Sequence, residues 1–185
     1  MRLFVAVPLP AEVKDDLGKL VDDWRKSGDK VNWVNKENLH FTLKFLGKTP
    51  LDKLAGLKSG LSNQLHGEIA FNISLAGAGA FPNWERARVL WIGVSEGKEK
   101  LGGLAQKVES GTRSLGFPAD ERGFSAHLTL GRMKDSQLSN GLSSKLRTCS
   151  FVAKDIIVSE VVLFQSELAP GGSIYTPLEH FGLVQ

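Results

Sequence analysis

A single cysteine, Cys149, stands in this chain of 185 residues, which excludes an internal disulfide and any metal cage built on cysteines. Its setting, Thr148-Cys149-Ser150-Phe151, reads as the start of a strand, with nothing nearby to activate a thiolate. Long apolar runs are missing too. The opening Met1-Arg2-Leu3-Phe4-Val5-Ala6-Val7-Pro8 is too short for a secretory signal peptide, and no stretch reaches the ~20 apolar residues of a membrane span. The expectation is a cytoplasmic protein with no membrane contact. Blocks of one charge are also absent, which argues against a polyanion-coating protein. What charge there is comes to 23 Lys and Arg against 20 Asp and Glu, net +3. That mildly basic balance admits nucleic-acid or nucleotide ligands without requiring them. Apolar content of 42% and charged content of 23% suit one globular domain, or two small lobes with a shared interface.

Hydrophobic periodicity orders the chain. Leu3 to Val7 reads as a buried strand stopped by Pro8 and Pro10. Val13, Leu17, Leu20, Val21 and Trp24 have helical spacing, and the helix ends near Gly28. A short strand at Val31–Val34 and a polar turn at Asn35–Asn38 lead into a strand from about His40 to Leu46. Thr49-Pro50-Leu51-Asp52 reads as an N-cap with proline at the first helical position, opening a helix with Leu54, Leu57, Leu61 and Leu65 on one side. Strands are expected at Ile69–Phe81 and Arg88–Val94. A helix through Leu101, Leu104, Ala105, Val108 and Leu115 follows, then a strand at Phe124–Arg132 and a short helix with Leu138, Leu142 and Leu146. Strands at about Phe151–Ala153, Ile156–Phe164 and Ile174–Leu183 close the chain. Helices do not separate every strand pair, so the fold class is α+β with mainly antiparallel sheets, not a doubly wound parallel sheet.

One tetrapeptide pattern occurs twice: His40-Phe41-Thr42-Leu43 and His127-Leu128-Thr129-Leu130. In a strand, residues i and i+2 share a face. His40 and Thr42 then point one way while Phe41 and Leu43 enter a core, and the second copy behaves alike. With four histidines and six threonines in the chain, two such coincidences by chance come to roughly one in 150–200. Two strands of this kind facing each other would set two imidazoles and two hydroxyls around one small anionic group, an arrangement suited to acid–base chemistry on a phosphate. Lys44 shares the His40 face by alternation, as a rim charge or a ligand contact. His66 and His180 lack the following threonine and read as structural or surface residues. No His/Asp/Glu cluster has metal-ligand spacing, so neither a metal nor another cofactor is expected.

These residues resemble the 2H phosphoesterase superfamily, and within it the RNA 2′,3′-cyclic phosphodiesterases, also called 2′-5′ RNA ligases. The resemblance runs from Arg2-Leu3-Phe4-Val5-Ala6-Val7-Pro8-Leu9-Pro10 through Asn38-Leu39-His40-Phe41-Thr42-Leu43-Lys44-Phe45-Leu46-Gly47. It continues in Gly77-Ala78-Gly79-Ala80-Phe81-Pro82, Arg88-Val89-Leu90-Trp91-Ile92-Gly93 and His127-Leu128-Thr129-Leu130-Gly131-Arg132, and ends in Ser166-Glu167-Leu168 and Tyr175-Thr176-Pro177-Leu178. One departure is Ala126, where the family often has proline before the second histidine.

The resemblance implies a single bilobal domain over residues 1–185, pseudo-twofold, with one His-x-Thr-x strand from each lobe facing a central cleft. It implies hydrolysis of an RNA 3′-terminal 2′,3′-cyclic phosphate to a 2′-phosphate without a metal. His127 would be the proton acceptor and His40 the proton donor, with Thr42, Thr129 and Arg132 on the phosphate. Simple alternation turns Arg132 away from His127, so a bend at Gly131 is required. Trp33, Phe45, Phe81, Trp84 and Tyr175 are candidates to stack on the terminal base. Rival readings are reversible 2′-5′ ligation, hydrolysis of a small cyclic nucleotide such as ADP-ribose 1″,2″-cyclic phosphate, and a nucleotide- or RNA-end-binding module without turnover. Monomer is the default expectation.

Overall fold

The structure, a computed structural model, describes residues 1–119, 123–135, 137–170 and 172–185. Strands β1 (Arg2–Pro8), β3 (His40–Lys48), β8 (Glu160–Ala169) and β9 (Gly172–Gly182) form one sheet in the order β3-β1-β8-β9. Strands β2 (Val31–Trp33), β4 (Phe71–Phe81), β5 (Val89–Glu96), β6 (His127–Met133) and β7 (Val152–Val158) form a second in the order β2-β6-β5-β4-β7. All pairings within the two sheets are antiparallel. The α+β class with antiparallel sheets is therefore as expected. No helix among the described residues is long and apolar enough to cross a membrane.

The helices are α1 (Ala11–Arg25), α2 (Leu54–Leu65), α3 (Lys98–Arg113) and α4 (Asn140–Arg147). Val13, Leu17, Val21 and Trp24 of α1 are buried at helical spacing. Trp24 packs 6.2 Å from Trp33 of β2, so truncating it to alanine would cost about 3–5 kcal/mol. Lys145 of α4 reaches the Asp23 carboxylate of α1 at 2.6 Å. Helix α1 follows a strand of the first sheet, yet it lies with α4 against the second. Helix α3 does the converse. It crosses α2 at Gly60 and Gly111, where a Cβ on Gly60 would stand 2.5 Å from the Gly111 carbonyl oxygen, and its Glu109 reaches Lys44 of β3. Helix α2 touches β9 through Lys58, whose Nζ donates to the Leu178 carbonyl at 2.9 Å.

Two local expectations fail. Thr49 does not cap α2: it is buried and its hydroxyl turns back to the Gly47 carbonyl, while Pro50 opens a 3₁₀ turn at Leu51–Lys53 before the helix. The expected strand Ile156–Phe164 is two strands, because the chain leaves the second sheet after Val158 and joins the first at Glu160. No glycine or proline marks that crossing, so periodicity alone reads it as continuous.

Candidate active site

Strand β3 is an edge of the first sheet, and β6 lies second from the edge of the other; the two strands touch. Their faces split as alternation requires. Phe41 and Leu43 are buried in the core and so are Leu128 and Leu130, while His40, Thr42, His127 and Thr129 are half-exposed on the opposite faces. Strand β2 pairs only with Gly131–Met133, and this keeps it clear of the His127 end of β6.

Both imidazoles are held the same way. His40 Nδ1 lies 2.6 Å from the carbonyl of Asn38, and His127 Nδ1 lies 2.8 Å from the carbonyl of Ser125. A carbonyl only accepts, so each Nδ1 carries a proton and donates it. Nε2 is thereby left as the reactive nitrogen in each ring. The Thr42 hydroxyl, 3.0 Å from His40 Nε2, donates to it when the ring is neutral. Asn38 is itself tied down, its side-chain amide donating to the Ser173 carbonyl of β9 at 2.6 Å.

Burial pushes the His40 pKa down to about 4, against the pull of its bond to Asn38, with a further push from the Lys14 ammonium. Burial also lowers His127, the Ser125 carbonyl opposes that, and the Arg132 charge adds to the lowering. Both rings are therefore neutral in the free protein at pH 7.

Arg132 does share the face of His127, and the local kink that returns it there is a β-bulge at Leu130–Gly131. The pairing of β5 with β6 skips Leu130, so that Leu90 faces Gly131 while Trp91 faces Thr129. This β-bulge advances the alternation by one and returns Arg132 to the Thr129 side. Gly131 meets a second need. A Cβ there would lie 2.6 Å from Val31 Cγ1 and 2.8 Å from the Trp33 ring.

A bulge of the same kind in β3 corrects the reading of Lys44. Val5 faces Lys44 and Ala6 faces Thr42, which skips Leu43. Lys44 is consequently turned inward and buried, donating to Glu109 at 2.6 Å and to the Pro118 carbonyl at 2.9 Å. It is neither a rim charge nor a ligand contact. Phe45 takes the place on the His40 face instead, 67% exposed and 6.2 Å from Phe4.

Aromatic rings line both faces. Around His40 stand Phe4 at 4.9 Å, Tyr175 at 5.4 Å and Phe164 at 6.4 Å. Around His127 stand Phe81 at 4.9 Å and Trp91 at 6.4 Å. Of the five expected stacking candidates, Phe45, Phe81 and Tyr175 belong to this lining. Trp33 packs on Trp24, and Trp84 lies under the Arg147 guanidinium at 4.8 Å. Sequence reasoning missed Phe4, Phe164 and Trp91. Strand β1 is buried from Leu3 to Val7 as expected, and Phe4, on the face opposite Leu3, Val5 and Val7, is buried beneath His40, Phe45, Phe164 and Tyr175. His180 pairs with Glu160 at 2.8 Å and His66 ends α2, both apart from this lining.

The LigT like phosphoesterase family matches residues 7–91 and again residues 92–175. The protein belongs to this family. His40 falls in the first match and His127 in the second, one histidine strand to each half. The chain is 37% identical to the RNA 2′,3′-cyclic phosphodiesterase of Methanothermobacter thermautotrophicus over 99% of each chain. It is 39% identical to the protein of that name from Archaeoglobus fulgidus over 98% of this chain and 99% of the other. The crystal structure of Escherichia coli LigT in complex with 3′-AMP superposes with a TM-score of 0.80 at 28% identity, covering 100% of this chain and 98% of that one.

Proposed function

We propose that the protein is an RNA 2′,3′-cyclic phosphodiesterase that opens a terminal cyclic phosphate to a 2′-phosphate by paired-imidazole acid–base catalysis. One observation carries the reading: two histidines on adjoining strands, each oriented by a backbone carbonyl two residues upstream, each share a strand face with a threonine, and His40 Nε2 lies 3.0 Å from the Thr42 hydroxyl. The relatives' shared name supports the substrate class.

In this reading His127 Nε2 takes a proton from the attacking water, and His40 Nε2 protonates the departing 3′-oxygen from the other side of phosphorus. The free protein holds both rings neutral, so the acid must gain its proton as substrate binds. The phosphodiester anion favours an imidazolium next to it. A nearby cation opposes that charge on each ring, Lys14 at His40 and Arg132 at His127, so the choice of His40 as the acid follows the family resemblance. Thr42 and Thr129 then donate to the non-bridging oxygens, with Thr42 rotating away from His40, and Arg132 adds a charge-assisted contact. Phe45 and Tyr175 offer the terminal base a stacking surface on the His40 side. No metal or organic cofactor has a part in these steps. The reading carries the expectation of a monomer working in the cytoplasm, checked by light scattering and fractionation.

The test is hydrolysis of a short RNA ending in a 2′,3′-cyclic phosphate, in EDTA, by the wild type, His40→Ala and His127→Ala. Phosphorus NMR reads the product. A 2′-phosphate from the wild type, with either variant slowed by about 10³-fold or more, supports the proposal. Equal turnover by either variant defeats it.

A further inference from the structure

Beyond Phe45, the His40 face of the first sheet ends in two positive charges. Arg2 and Lys48 stand directly opposite each other across β1 and β3. Leu3 is in the core, so Arg2 shares the face of Phe4, and Phe4 in turn faces Phe45. Like charges opposed in this way repel. Both side chains are exposed, and among the described residues neither forms an ion pair that would relieve the repulsion. Beside them is a hollow of about 340 Å³ lined by Met1, Arg2, Lys48, Thr49 and Pro50. A crowded, unneutralised cation pair beside a hollow, on the same sheet face as a phosphate site, is an arrangement that an anion completes.

We propose that Arg2 and Lys48 form a second phosphate station, which holds the backbone of the RNA strand leading away from the reacting end. This rests on the phosphodiesterase reading above. The order along the sheet face is the order of groups in such a strand: His40 and Thr42 for the terminal phosphate, the exposed Phe45 for the base, then Arg2 and Lys48. Thr42 faces Ala6, and Ala6 and Arg2 are four residues apart, about 13 Å along a strand, so the station lies on the scale of two nucleotides from the reacting phosphate. The station predicts a preference for oligonucleotides over mononucleotides, because a free cyclic mononucleotide has nothing to place there. Its contribution is electrostatic and indifferent to base sequence.

The experiment measures kcat/KM for a cyclic mononucleotide and for a tetranucleotide ending in the same cyclic nucleotide. The proteins are the wild type and the double variant Arg2→Gln/Lys48→Gln. In parallel, fluorescence anisotropy follows binding of a labelled tetranucleotide bearing a 3′-phosphate, over a range of salt. The expected result is a fall of about tenfold or more in the ratio of tetranucleotide to mononucleotide kcat/KM, seated in KM. The salt slope of binding should fall by about 1.4, the value for two single-strand phosphate contacts. An unchanged ratio with an unchanged salt slope overturns the station. If the wild type hydrolyses neither substrate, the phosphodiesterase reading fails, and the anisotropy alone decides the station: an unaltered slope overturns it, a reduced slope upholds it.

Discussion

Phe45 and Arg132 occupy the same position in the two halves of the site, each five residues after its histidine and each returned to the face of that histidine by a bulge one residue past the threonine. One half thus offers a ring where the other offers a cation. The pseudo-symmetry of the histidines is broken there, and the break gives a substrate one direction in which to lie.

The exchange of those two roles is testable. Phe45→Ala removes a stacking surface worth about 1–3 kcal/mol per base, so KM rises with kcat little changed. Arg132→Gln removes charge beside the phosphate, and kcat falls with it. Steady-state kinetics on a cyclic-phosphate RNA end separate the two, and a kcat defect in Phe45→Ala would contradict the assignment.

Acid should favour encounter with substrate. Burial lowers both imidazoles below their usual value of about 6.5, and kcat/KM reports the free protein. The singly protonated form therefore peaks below pH 6.5. In the complex the phosphate charge raises the rings again, so the kcat profile lies at higher pH than the kcat/KM profile. Superimposed profiles, or a kcat/KM maximum above pH 7, would count against paired imidazoles.

The same burial makes folding sensitive to pH. His40 binds its proton near pH 6.5 when unfolded and near pH 4 when folded. Between those values the unfolded chain holds more protons, so stability is full above about 6.5 and declines as pH falls towards 4. The decline amounts to about 3 kcal/mol. Urea titrations of wild type and His40→Gln at pH 7.5 and 4.5 should show a smaller loss in the variant.

Lys44 and Glu109 bind the His40 strand to α3. Lys44→Met strands the Glu109 carboxylate, one oxygen of which is already buried without a partner. Because Glu109 keeps some solvent contact, the expected loss is about 2–3 kcal/mol, short of a fully buried pair. Lys44→Met/Glu109→Leu should recover much of it. Chemical denaturation of the single and double variants measures the coupling.

Gly60 tests the helix crossing. An alanine there meets the backbone of Gly111, which cannot swing aside as a side-chain tip would. Thermal unfolding of Gly60→Ala should show a loss of about 1–3 kcal/mol, whereas Gly103→Ala, on open space in α3, should show none.

Much of this was legible because two periodicities are strict here. The run Val13, Leu17, Val21 and Trp24 defines α1, and the His-x-Thr spacing settles which side chains share a face with each histidine. Beyond each threonine the inference broke down. Neither Leu43 nor Leu130 differs in type from an ordinary core leucine, so nothing local shows that it is skipped in pairing. One uncounted residue was enough to misplace Lys44, and at Arg132 it is the bulge that supplies the bend expected at Gly131. The sheet change at Ser159 was hidden likewise, since both sheets ask for the same apolar residues on either side of it.

The reciprocal placing of α1 and α3 has a consequence for the two halves that match the family separately. With α1 over the second sheet and α3 over the first, each matched half also supplies strands to both sheets, β3 and β4 from the first half and β8 and β6 from the second, so a severed half would keep its histidine strand and leave both sheets incomplete. Two halves joined in this manner are hard to separate, because either one alone lacks strands from both sheets. Mutual dependence also makes the two histidine strands stiff partners. The distance between the imidazoles is then a property of the whole molecule, and any variant that loosens either helix pair is felt at both.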